Sequence, residues 1–436
     1  MISFDKAKTF FKKKFHSFLG DDTTNSIFKN MGILASGSGV AKVLGIAAYP
    51  VITRIYSPDD FGVLAVFTSA IAILVPFYTL RYSVAIPLPK NNGLALNLMA
   101  LGLGLIVIFS TLLSFLFITF GDAIFSFFNM AEIANYWWLL VLGLVGAGLF
   151  ELLTSWATRV KQFSPVAKAT IWQSFSSVTT IIGLGLLGIK PLGLLIGDVV
   201  KRGGGILTLA RHFLRDVKDN FQHLAKKRII FIATYYKDLP LYRLPSQFLL
   251  VFSTKMPVLY FAFQFGSEPT GQLGLALMVV AIPMSLIGSN TGKAYYAEIA
   301  KIGANKRDEV LELTKSITKR LSLLSLFPTL ILLLFSPFLF QVIFGQEWLD
   351  AGIFTSILAF YLFTQFITSP LVNVFNVYNQ QSKFLEINLV RIVLIGIVFI
   401  SSFHLELNVY ETLISYTVII SGHYLFTGYQ IYRVIK

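Results

Sequence analysis

The chain is built of apolar blocks about as long as a bilayer is thick, and that length leaves few folds open. A helix needs ~20 apolar residues to cross the hydrocarbon core. Lipid offers the backbone no water, so a spanning segment is a helix or a strand of a closed barrel. Barrel strands alternate apolar and polar residues over short stretches. These blocks do not alternate. The expected fold is an all-α polytopic membrane protein. Composition agrees, because charged residues make up 13% of the 436-residue chain, against ~25% in soluble proteins.

Twelve spans are expected, at roughly 30–53, 62–80, 95–119, 137–155, 170–189, 192–210, 241–263, 271–292, 320–344, 352–377, 385–402 and 409–432. Only Lys190 and Pro191 separate the fifth from the sixth, and Lys201 and Arg202 interrupt the sixth. Lys and Arg in the connecting segments orient the set. With the N-terminus in the cytoplasm, 28 of the 36 basic residues fall inside and only Arg54 and Lys190 outside. Both termini are therefore expected in the cytoplasm. The first residues are basic and polar, unlike a cleaved signal peptide. The expected organisation is a basic cytoplasmic segment over 1–29, a first six-helix bundle over 30–210 and a cytoplasmic amphipathic linker over 211–240. A second six-helix bundle over 241–432 and a tail over 433–436 follow.

The net charge of +14 follows from this topology and from contact with anionic lipid. Nucleic-acid binding would need an organised soluble basic face, and none is read here. The stretch RHFLRDVKDNFQHLAKKRII mixes apolar and basic residues at helical spacing, as an interfacial helix does. There is no cysteine, which excludes thiol catalysis and iron–sulfur ligation. No zinc-ligand spacing or P-loop appears, so no cofactor, no metal and no direct ATP hydrolysis are expected.

The two halves echo each other. SPDDFGVLAVFTSAIAILVPF follows the first span and GSEPTGQLGLALMVVAIPMSLI the seventh. Both pass from a polar turn to a Gly and then to a late Pro, Pro76 or Pro283. The match pairs Gly62 with Gly274 and Gly121 with Gly345. Six spans per half make these parallel repeats about an axis along the membrane normal, with a cavity between two bundles.

Ionisable groups inside a membrane are expensive and tend to face a cavity or a partner. Lys42 lies mid-span in GSGVAKVLG and Lys255 in FSTKMPVLYF, on related elements of the two halves. Arg54, Arg81 and Arg391 lie nearer span ends, where they either face the cavity or snorkel to headgroups. Lys201 either pairs with Asp198 or lines the interface. Glu151 and Asp198 are the acidic groups in or near spans, as counter-charges or proton-sensitive sites. The excess of cations suits an anionic substrate, and phosphate above all.

Three stretches carry a resemblance: TRIYSPDDFGVLAVF, LGLALMVVAIPMSLIGSNTGKAYYAEIAK and VIFGQEWLDAG. In order and spacing, over about 30–432, the chain resembles the Wzx-like polysaccharide flippases. These form the polysaccharide-synthase group of the multidrug/oligosaccharidyl-lipid/polysaccharide exporter superfamily. The resemblance implies two six-helix bundles in a V around a central cavity. It implies passage of a lipid-linked oligosaccharide, usually on undecaprenyl diphosphate, from the inner to the outer leaflet. It also implies basic residues facing the diphosphate; by location Lys42, Arg54, Arg81 and Lys255 are the analogous candidates. A bacterial or archaeal cytoplasmic membrane is implied too, with glycosyltransferases or a polymerase as neighbours.

No bond need break in such a process, and a proton or sodium gradient or the membrane potential would set its direction. An ion-coupled multidrug exporter of the same superfamily is the alternative, although buried carboxylates would suit cationic drugs better. A membrane glycosyl polymerase would need a large catalytic outer loop. The longest outer loop, about 120–136, holds only Asp122 and Glu132.

Overall fold

The computed structural model describes residues 22–127, 134 and 136–436. Most of the expected segment 1–29 and part of the loop 120–136 therefore lie outside the described residues. The N-terminal half holds α1 (Asp22–Ile55), α2 (Pro58–Tyr78), α3 (Asn92–Phe127) and α4 (Trp137–Arg159). It continues with α5 (Phe163–Leu186), α6 (Leu192–Gly203), α7 (Ile206–Val217) and α8 (Lys226–Tyr235). The second half holds α9 (Leu244–Phe265), α10 (Ser267–Pro283), α11 (Ser289–Ile302) and α12 (Arg307–Phe344). It ends with α13 (Leu349–Thr368), α14 (Gln381–His404) and α15 (Val409–Ile435).

Among the described residues, seven segments are long and apolar enough to cross a membrane. They are α2, α3, α4, α9 with the turn before it, α12, α13 with its flanking turns, and α14. The other expected spans fall on α1, α5, α6, α10 and α15, which are shorter, broken or more polar. The sixth, expected over 192–210, breaks at Gly203, Gly204 and Gly205. Gly204 is extended and Gly205 takes φ 80°. That left-handed backbone favours glycine, and a Cβ there would also collide with Ala169 of α5. The ninth, expected over 320–344, starts earlier, at Arg307. Asp308 and Glu309 in the first turn of α12 suit the positive end of its dipole.

Large apolar side chains such as Phe115 and Ile118 on α3 and Leu334 and Phe338 on α12 point outward. Water would penalise so much exposed apolar surface, whereas lipid accepts it. The chain is a multi-pass membrane protein. Inside, one apolar core joins Ile71, Leu98, Leu144 and Leu152 of α2, α3 and α4. A second joins Phe261, Leu273, Leu358, Ile395 and Ile420 of α9, α10, α13, α14 and α15. Between them, α2 packs on α9 and α10, and α1 packs on α5 and α12.

The polar turn SPDD is a capping box. Ser57 Oγ accepts the Asp60 N–H at 3.3 Å, and Asp60 Oδ2 accepts the Ser57 N–H at 2.9 Å. Such a cap is worth about 1 kcal/mol, and it starts α2 at Pro58. There α2 crosses the start of α10 through Gly62 and Gly271. Ser267 Oγ donates to Asp59 Oδ1 at 2.5 Å across the same crossing. The sequence match set Gly62 against Gly274 as repeat equivalents; the glycine that Gly62 meets is Gly271, three residues earlier. Gly121 lies within α3 while Gly345 ends α12 at φ 118°, so these two are not equivalent positions.

Candidate functional site

A cavity of about 500 Å³ lies between the two halves. From the first half come α1, α2, α5 and α6. From the second come α9, α10 and α13. Each helix contributes residues about one turn apart, as a single face must. On α6 these are Leu194, Asp198 and Lys201; on α5, Ser174, Ser177 and Ile181. Thr68 and Ser69 of α2, Tyr49 of α1 and Thr254 of α9 add hydroxyls. Phe61, next to the crossing residue Gly62, also lines the cavity, its ring edge-on to Trp348 at 4.8 Å.

Three charged residues line the cavity: Asp198, Lys201 and Lys255. The sequence left open a pairing of Lys201 with Asp198, and the structure chooses differently. Arg202 Nε donates to Asp198 Oδ2 at 2.6 Å, one turn along α6. Lys201 is exposed to the cavity, and Lys255 is half-buried on α9. Among the described residues neither lysine has an acidic partner within ion-pair distance. With Asp198 neutralised by Arg202, the wall keeps two uncompensated cations, one from each half. Charges in a low-dielectric site are costly unless a counter-ion arrives.

A smaller apolar pocket shares Leu277, Ala281, Tyr361 and Gln365 with the cavity and extends it to Ser285. Lys42 Nζ of α1 donates to the Ser285 carbonyl at 3.2 Å, so the ammonium sits at this extension. Pro283 ends α10 there, and Met284–Gly288 forms a π-helical turn.

The other expected site residues are engaged elsewhere. Arg54 donates to the Val342 and Ile343 carbonyls at 3.1 and 2.7 Å, in the last turn of α12. Those carbonyls have no helical partner, and a cation also suits that end of the dipole. Arg81 pairs with Glu151 at 3.1 Å, and Ser83 Oγ donates to the same carboxylate oxygen at 2.6 Å. Neither is among the cavity-lining residues. Arg391 is 6% exposed and does not line the cavity, and its guanidinium lies 5.4 Å from the Tyr424 ring centroid. Gln365, which does line the cavity, donates to the Tyr424 hydroxyl at 3.2 Å.

The hydroxyl wall and the Asp198–Arg202 pair were missed from sequence. Their signal was present in the spacing of Leu194, Asp198 and Lys201, and of Ser174, Ser177 and Ile181. Such one-turn spacing marks one face of a helix but not what that face meets.

A family profile described as "Polysaccharide biosynthesis protein" matches residues 51–353, well over half of the chain. The chain belongs to this family. Its fold is similar to that of solved transporters described as members of the MOP superfamily. An inward-facing multidrug resistance MATE family transporter of that superfamily aligns with TM-score 0.59 and 16% identity, over 92% of this chain and 94% of the other. The outward-facing conformation of a MATE family transporter gives 0.55 and 15%, over 96% and 97%. A transporter from Pyrococcus furiosus, described as having a binding pocket of reverse polarity that suggests a different function, gives 0.54 and 16%, over 96% and 97%. At these identities the likeness is one of fold. No curated protein matches the family member in sequence.

Proposed function

We propose that this family member carries a lipid-linked, anionic oligosaccharide across the membrane by alternating access, with a polyprenyl diphosphate as the carrier. The observation that carries this reading is the pair of uncompensated lysines, Lys201 and Lys255, on opposite walls of the cavity. A diphosphate between them would supply the missing counter-charge. The hydroxyls of Thr68, Ser69, Ser174 and Ser177 suit the sugars next to it, because sugars offer and accept many hydrogen bonds. The family description supports a role in polysaccharide biosynthesis.

In this reading the polyprenyl tail stays in lipid while the headgroup enters between two six-helix halves. The cations lower the cost of taking a diphosphate through a low dielectric. The crossing at Gly62 and Gly271 closes one end of the cavity and opens when the halves rock. Both termini lie in the cytoplasm, and a proton or sodium gradient or the membrane potential gives direction. The lysine at the extension, Lys42, meets the headgroup on its way in.

A second reading is an exporter of small molecules, coupled to an ion gradient. The likeness to multidrug MATE transporters favours it, and fold likeness alone favours it over the first. The polarity of the wall argues for an anionic cargo in either case. Proteoliposomes decide between them. Leaflet exchange of a labelled polyprenyl-diphosphate oligosaccharide, lost in Lys201→Ala and Lys255→Ala proteins that still fold, supports the first reading. Gradient-driven dye export without such exchange replaces it with the second.

A further inference from the structure

A crevice of about 240 Å³ lies within the second half, on the other side of α13 from the central cavity. Tyr361 and Gln365 of α13 line the cavity, while Thr364 and Thr368 line the crevice. The facing walls are Thr318 of α12 and Leu425, Gly428 and Tyr432 of α15. The lining is mostly apolar. Leu425 and Tyr429, both on its α15 wall, are more than half exposed, so the crevice opens on the outer surface of the bundle.

The exposed residues of two helices fix its depth in the membrane. Along α12, Lys315, Lys319 and Arg320 are exposed, and then Leu323, Leu324 and Phe327. Along α15 the order is reversed, with Leu425, Phe426 and Tyr429 exposed before Arg433 and Lys436. Such a change from basic to apolar marks the headgroup boundary. Thr318 and Tyr432 sit at it, their hydroxyls hydrogen-bonded at 2.8 Å. Leu425 lies two turns deeper than Tyr432. Lys315 is one turn from Thr318 on the same face of α12, and Arg433 follows Tyr432. Among the described residues, Lys315, Lys319 and Arg433 have no acidic ion-pair partner. The carboxylates of this stretch, Asp308, Glu309 and Glu312, lie farther out toward the start of α12, and Glu309 is held by Lys306.

An apolar slot, a pair of hydroxyls and a rim of cations follow one another in the order of a phospholipid's chain, ester and phosphate. We propose that this crevice is a binding site for an anionic phospholipid of the bilayer, with one acyl chain between α12, α13 and α15 and the phosphate on Lys315, Lys319 and Arg433. Basic rims between spanning helices suit anionic headgroups, and the hydroxyls of Thr318 and Tyr432 can donate to an ester oxygen. The slot has room for part of one chain and none for a sugar, so the cargo is the poorer occupant. The site reports to the central cavity through Tyr424, which lines the crevice and accepts a hydrogen bond from Gln365. A bound chain thus braces the α13 wall that the cargo passes. The inference stands whichever cargo the cavity takes.

The test uses the full chain in detergent, with dioleoylphosphatidylglycerol and dioleoylphosphatidylcholine as probes and native mass spectrometry counting the lipids retained. The chains are identical, so only the headgroup separates the two. The wild type should retain one phosphatidylglycerol, with an affinity about tenfold above that for phosphatidylcholine. Lys315→Gln combined with Arg433→Gln, both at exposed positions, should remove that preference. Gly428→Leu should fill the crevice, because a Cβ there already meets Thr368 Cγ2 at 3.3 Å, and should lose the lipid with the rim intact. Leu425→Trp locates the chain without disturbing the packing: its fluorescence should be quenched by brominated-chain phosphatidylglycerol and restored by the unbrominated lipid. Equal retention of the two lipids by the wild type, an unchanged preference in the charge variant, or an unquenched Leu425→Trp protein overturns the inference. Displacement of phosphatidylglycerol by an equal concentration of farnesyl diphosphate would place the crevice on the cargo's route and overturns it too.

Discussion

Gly62 and Gly271 meet where α2 and α10 cross, and each stands against the other helix's first turn. A Cβ on Gly62 would lie inside contact distance of the Ser267 carbonyl, and one on Gly271 would collide in the same way with the Pro58 carbonyl. One sequence offset carries Pro58 onto Ser267 and Gly62 onto Gly271. The contact is therefore reciprocal, as a pseudo-two-fold axis between the halves requires. Two such helices can approach this closely only where neither has a side chain.

Gly62→Ala and Gly271→Ala should each prise the crossing apart. Overpacking of this kind costs about 1–3 kcal/mol. The double variant should cost less than the sum, because the first alanine already opens the gap. Thermal unfolding in detergent measures the cost. A Ser267→Cys reporter should label faster with a water-soluble maleimide in either variant; unchanged labelling would show that this end was open already.

Arg54→Gln should destabilise without weakening the cargo. Its guanidinium closes the last turn of α12 through Val342 and Ile343, and the loss of charged hydrogen bonds costs about 1.5–3 kcal/mol. Lys255→Gln should do the reverse, keeping or raising stability while weakening an anionic ligand. Melting temperature and farnesyl diphosphate affinity, measured on both proteins, separate the two roles. A fall in affinity for Arg54→Gln at unchanged stability would return Arg54 to the binding set.

Arg81 and Glu151 are partly shielded, with side chains 18% and 23% exposed. Pairs of this kind fall between surface and buried ones, so Arg81→Met or Glu151→Gln should cost about 1–3 kcal/mol. Exchange of the two charges, Arg81→Glu with Glu151→Arg, should recover part of the loss. Unfolding of the wild type, Arg81→Met, Glu151→Gln and the variant that combines those two changes closes the cycle. A coupling energy near zero would mean that the 3.1 Å contact contributes nothing.

Arg391 is buried beside the Tyr424 ring, and its Nε has no hydrogen-bond partner. Among the described residues it has no ion-pair partner. A buried cation without a carboxylate costs more than a ring contact returns. Arg391→Met should therefore melt at the wild-type temperature or above it. A large fall in melting temperature would show instead that the tyrosine hydroxyls repay the burial in full.

Much of the architecture was legible along the chain. Apolar length alone identifies a membrane protein, because lipid forbids an unsatisfied backbone whatever the neighbours are. Lys42 and Lys255 stood out as charges far from any span end, and SPDDFG stood out as the polar turn before the second span. What the residues meet was not legible. Arg54 and Lys201 look alike in sequence, each a cation near an apolar stretch, yet one seals the end of α12 and the other faces the cavity. The repeat match paired Gly62 with Gly274 by position along the chain, and only the crossing of two helices brings Gly62 against Gly271. Burial and charge at spans depend on local composition, which sequence carries. Partnership depends on which faces two distant helices turn toward each other, and long-range packing alone decides that.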